Sequence, residues 1–125
     1  MSRTVYLNGE YVPEEEAKIS VFDRGFLFAD AVYEVTAVVN GKLVDFAGHF
    51  ARLARSCREL GLPLTLAEDD LREIHQRLIV ENRLTEGGIY LQLTRGNSGD
   101  RDFHFPSSQT PTTLVLFTQS RAVVD

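Results

Sequence analysis

Short apolar runs broken by turn pairs fill the first fifty positions. Thr4-Val5-Tyr6-Leu7 meets Asn8-Gly9 and returns as Glu10-Tyr11-Val12. Val32 to Val39 meets Asn40-Gly41 and returns as Lys42 to Phe46. Asn-Gly between apolar runs predicts a tight hairpin, because both residues tolerate the positive φ of the turn. The period then changes. Phe50, Leu53, Cys57 and Leu60 recur at helical spacing and predict a helix over 47–60, stopped by Gly61 with Pro63 beyond. Thr65 and Glu68 have the spacing of a capping box opening a second helix. Leu71, Ile74 and Leu78, with Val80 off-centre, give it a buried side, and it is expected to end near Leu84. Strands are expected over 89–94 and 113–118, separated by a polar loop over 95–111. Strands segregated from helices predict an α+β domain built on antiparallel hairpins.

The remaining segments resist a period. Val21 to Asp30 mixes aromatic and charged residues, and Glu14-Glu15-Glu16 reads as a solvated turn. The tail over 119–125 carries no cap or turn signal, so the domain is expected over 1–118 with 119–125 opening a linker.

Length and composition narrow the class. At 125 residues, 43% hydrophobic and 25% charged, the chain suits one globular domain. Thirteen basic and eighteen acidic side chains give a net charge of −5, which argues against a nucleic-acid partner. No apolar run approaches the ~20 residues of a membrane span, and no secretory signal is expected at the start. One cysteine, Cys57, excludes an internal disulfide and a cysteine-built zinc site. The three histidines lack metal-ligand spacing. Cys57 falls on the apolar stripe and reads as an inert core thiol.

Three places carry candidate chemistry. Asp23, Arg24, Asp30 and Glu34 read as one structural ion-pair network among phenylalanines. Beside them, Tyr33 reads either as a core tyrosine or as a hydroxyl offered to a ligand. On the first helix, His49 and Arg52 lie three apart and share a side. Arg52 reads as a surface cation or, by its fork of donors, as a phosphate ligand. In the long loop, Arg101 and His104 suit a carboxylate, the other reading being an ordered loop held by Phe103 and Phe105. No nucleophile elbow, Walker loop or dinucleotide glycine motif is present.

Taken together these stretches resemble the class IV, fold-type IV aminotransferases that use pyridoxal phosphate. The marks are Tyr6 to Gly9, Ser20 to Val35, His49 to Leu53 and Ile89 to Gly96, in order along nearly the whole chain. Val32-Tyr33-Glu34-Val35 and the Arg-Gly loop are most similar to the D-amino acid aminotransferases. Branched-chain aminotransferases and aminodeoxychorismate lyases share much of the first half. The resemblance implies the small N-terminal domain of such an enzyme, with a larger C-terminal domain expected downstream. It implies a cytoplasmic homodimer moving an amino group between a D-amino acid and a 2-keto acid. A fragment of a lyase or branched-chain enzyme, or a non-catalytic scaffold of the same ancestry, are the alternatives.

Residue by residue, the resemblance makes Arg52 the ligand of the cofactor phosphate. Tyr33, Val35, Arg101 and His104 become substrate-binding, Arg101 from a loop that reaches into the neighbouring subunit. The D-specific pattern places histidine two residues after that arginine. Here Phe103 stands there and His104 follows, and Ala31 stands for a commoner glycine. The family's cofactor-linked lysine is expected downstream. Neither Lys18 nor Lys42 matches it, so no catalytic residue is assigned in this chain, which is expected to be inactive alone.

Overall fold

A computed structural model describes residues 2–101 and 110–122. Strands β1 (Thr4–Leu7) and β2 (Glu10–Pro13) are followed by a 3₁₀ turn at Glu14–Glu16 and a short helix α1 (Arg24–Phe28). Next come β3 (Ala31–Val39), β4 (Lys42–Leu43), α2 (Phe46–Leu60), α3 (Glu68–Glu81), β5 (Gly87–Thr94) and β6 (Thr113–Ser120). One six-stranded antiparallel sheet runs β2-β1-β6-β5-β3-β4. The expected α+β class and both hairpins are present. At their turns Asn8 and Gly9 have φ of 49° and 94°, and Asn40 and Gly41 of 54° and 72°. Those left-handed values are open to Asn and Gly at little steric cost.

The helices α2 and α3 cover one face of the sheet. Leu53, Leu71 and Leu78 from the helices meet Val38, Ile89, Leu91 and Leu116 from the strands, all essentially without solvent contact. Strand alternation does the sorting. In β3, Val32, Glu34, Thr36 and Val38 turn inward, and Tyr33 and Val35 are exposed.

Several local expectations give way. The second hairpin arm is only two residues, because Phe46 is drawn into the core as the first residue of α2. Leu60 is half exposed at the end of α2, and Val80 is solvent-facing while its neighbour Ile79 is buried. The Thr65–Glu68 capping box does not form. Helix α3 starts three residues after Thr65, with Ala67 at the cap position and the Asp70 carboxylate accepting from the Ala67 N–H at 3.3 Å. It ends at Glu81, short of Leu84. The last strand continues past Thr118 to Ser120.

Helix α1 was not expected. The Asp23 carboxylate caps it by accepting from the Gly25 N–H at 2.8 Å. Its end lacks the usual glycine signal: Ala29 takes the left-handed conformation, with φ of 55°.

Candidate functional site at the edge of β3

The charges expected to form one network are divided among three tasks. Asp23 caps α1. Asp30 accepts from Arg24 Nε at 2.9 Å and Arg95 Nε at 2.8 Å. Glu34 turns to the helix layer, where its Oε2 accepts from Arg52 Nε and its Oε1 from Arg52 Nη2, both at 2.8 Å. His49 Nδ1 lies 2.8 Å from the same Oε1. The physical reason is the pleat. Glu34 stands between Tyr33 and Val35, so it must face the opposite side, and a buried carboxylate there needs cations from α2. The alternation of β3 together with the i,i+3 spacing of His49 and Arg52 was the signal that could have found this pairing.

Electrostatics follow from that contact. Burial pushes the Glu34 carboxyl up, but the hydrogen bonds from Arg52 and His49 outweigh it and hold the group below its ordinary range. The Glu34 carboxylate in turn raises the Arg52 guanidinium. Glu34 uses the Nε–H and one Nη2–H. Three of the five guanidinium donors, two on Nη1 and one on Nη2, have no protein partner among the described residues. The Arg52 side chain is 57% exposed, so that second edge is open.

On the other face of β3, Tyr33 is exposed and not a core residue. Its ring stacks on Tyr90 at 5.7 Å, and Tyr90 stacks on Phe117 at 5.0 Å. Val35 lies on the same exposed face. Arg52 and Tyr33 thus flank one strand from opposite sides. β4 pairs with β3 only at Val38 and Val39, so the outer edge of β3 from Ala31 to Thr36 has no strand beside it among the described residues.

Arg101 sits apart from this pair, its guanidinium over the Phe28 ring at 4.7 Å. His104 and Phe103 lie outside the described residues. Lys18 and Lys42 are both exposed. Cys57 is buried in the core, which pushes its thiol up and keeps it unreactive. No helix among the described residues is long and apolar enough to cross a membrane.

Three comparisons bear on this site. A family model described as amino-transferase class IV matches residues 31–123. The D-alanine aminotransferase of Staphylococcus epidermidis is 42% identical over 116 residues, 93% of this chain and 41% of that protein. Among solved structures, the branched-chain amino acid aminotransferase of Escherichia coli aligns with a TM-score of 0.87 at 22% identity, over 97% of this chain and 42% of the other. The 4-amino-4-deoxychorismate lyase of Pseudomonas aeruginosa aligns with a TM-score of 0.73 at 29% identity, over 97% and 41%. The chain spans 41% of the length of the curated relatives it matches.

Proposed function

The chain belongs to the class IV aminotransferase family, and on that premise we propose that it is the small domain of an enzyme moving an amino group between a D-amino acid and a 2-keto acid. The substrate class rests on the 42% identity to a D-alanine aminotransferase, against 29% to the lyase. The proposal carries a homodimer, a cytoplasmic location and pyridoxal phosphate as cofactor. It carries no cofactor-linked lysine in this chain.

The observation that supports a phosphate site is the divided guanidinium of Arg52. One edge is locked by Glu34, and the other is free to give paired, charged hydrogen bonds to a phosphate. Glu34 and His49 fix the direction of that edge from behind. Bound cofactor supplies the electron sink for the substrate's α carbon. The domain supplies grips: Arg52 for phosphate, and Tyr33 and Val35 for the substrate carboxylate and its surroundings. Arg101, reaching from the neighbouring subunit, completes the carboxylate contacts together with His104.

The test uses pyridoxamine 5'-phosphate and pyridoxamine, titrated into the isotope-labelled chain and followed by NMR. The phosphorylated compound is expected to shift amides of residues 31–36 and of the first turns of α2. Arg52→Lys keeps the charge and loses the fork, so affinity should drop about ten- to a hundredfold. Equal affinity in the variant, or shifts confined elsewhere, would overturn the phosphate role.

A further inference from the structure

The segment before α1 and the end of β5 enclose a cavity of about 350 Å³. Ile19, Val21 and Phe26 form an apolar rim, each largely exposed. Ser20, Asp23, Gln92 and Thr94 supply its polar lining. We propose that this cavity is a binding site for a primary ammonium group on a short apolar stem.

Asp23 carries the argument. It is 1% exposed. Its Oδ1 is used by the Gly25 N–H, but its Oδ2 is buried with no hydrogen-bond partner among the described residues. A buried carboxylate oxygen without a donor is costly, so a group that donates to it gains what the fold leaves unmet. Among the described residues, no cationic side chain lines the cavity. Arg24, next in sequence, directs its Nε to Asp30.

Gln92 and Thr94 also favour a donor. Gln92 spends its amide nitrogen on the Tyr90 hydroxyl at 2.8 Å, which leaves its oxygen to accept. The Thr94 hydroxyl accepts from the Gly96 N–H and keeps a second lone pair, whereas the Ser20 hydroxyl already accepts from the Phe22 N–H and from Asn97 Nδ2 and has no acceptor site to spare. An ammonium ion has three donors and no acceptor, which suits this set. The apolar rim suits the stem.

The cavity's floor is held by close packing. A Cβ on Gly25 would come within 2.5 Å of Thr94 Cγ2 and 3.0 Å of Asp23 Oδ1. Glycine at this position lets α1 lie against β5 and keeps the carboxylate beneath the cavity. None of these residues belongs to the proposed phosphate grip, so the inference stands or falls separately from it.

The experiment titrates n-butylammonium chloride and its neutral counterpart 1-butanol into the isotope-labelled 125-residue chain. Saturable amide shifts are expected at residues 19–26 and 92–94, with the ammonium at least tenfold tighter than the alcohol. Asp23→Asn keeps a good helix cap, and should bring the two probes within threefold of each other. Nα-acetyl-lysine methylamide is the second arm. Its binding assigns the site to a lysine side chain of another chain, and its failure beside bound butylammonium assigns it to a free amine. Equal affinity for amine and alcohol, or undiminished ammonium binding by Asp23→Asn, overturns the proposal. Should the variant not fold, the amine-to-alcohol ratio in the unaltered chain still decides.

Discussion

Two carboxylates, the buried Glu34 and the partly buried Asp30, each gather two partners, yet they serve opposite ends. Around Asp30 both cations are enclosed, with side-chain exposures of 7% for Arg24 and 14% for Arg95. Arg95 also donates to the Leu60 carbonyl at 2.9 Å and to the Gly61 carbonyl at 3.3 Å, tying the end of α2 to the end of β5. Around Glu34 the cation stays mostly in water. The same bond type therefore makes a structural clamp where the arginine is enclosed and a presented ligand where it is not. What separates them is how far the fold encloses the guanidinium.

The largest effect expected from breaking this contrast is at the clamp. Asp30→Asn leaves two enclosed guanidinium groups facing a neutral amide. Removing one partner of an enclosed ion pair costs up to about 3–5 kcal/mol, so the urea midpoint should fall steeply. A loss below about 1 kcal/mol would mean that water reaches Arg24 and Arg95 after all.

An acid titration sharpens the comparison only after a third group is set aside. His75 is buried in α3, donates from Nδ1 to the Leu71 carbonyl at 2.8 Å and meets the Phe46 ring edge-on. Burial lowers its pKa to about 4, against the partial opposition of the Leu71 carbonyl. The folded state thus resists a proton that the unfolded chain accepts near its ordinary value of about 6.5. Stability is complete above that value and is lost as pH falls towards 4, by about 3 kcal/mol in all. Asp30 and Glu34 act lower. Burial raises each, their cations lower each further, and the net shift is downward. Their contribution is present above about pH 4.3 and lost below it. Urea midpoints measured from pH 7 to 4.5 should decline in the unaltered chain and stay nearly level in His75→Leu. A decline that persists in the variant would assign the loss to another group.

The smallest effect is expected at the presented ligand. Glu34→Gln keeps one acceptor for Arg52, whose guanidinium remains hydrated, so the cost should be about 1 kcal/mol. A cost equal to that of Asp30→Asn would abolish the distinction between clamp and ligand.

Much of this arrangement is legible in the residues. Arg52 and His49 share a side of the helix, and the alternation of β3 puts Tyr33 and Val35 on one face. The partner of each charge is less legible. Four acidic or basic residues within a dozen positions suggested one network. They divided because Glu34 and Asp30 leave β3 and its approach in different directions, and because Arg95 arrives from just past the end of β5, sixty-five residues away. The short helix α1 was hidden for a local reason: its last turn closes on Ala29 where a glycine would have announced it.

By itself, then, the sequence determined what short-range sterics decide. The Asn-Gly turns, the Gly61 stop of α2 and the inward rows of β3 and β5 follow from φ preferences and side-chain period, and these need no distant partner. Tertiary structure alone decided which carboxylate meets which cation and, among the described residues, that β3 keeps an open edge beside Arg52 and that Asp23 Oδ2 is buried without a donor. Those outcomes depend on burial and on strands paired across the chain. A charge acquires its role only when the fold has fixed how much water it keeps and which opposite charge is near enough to replace that water.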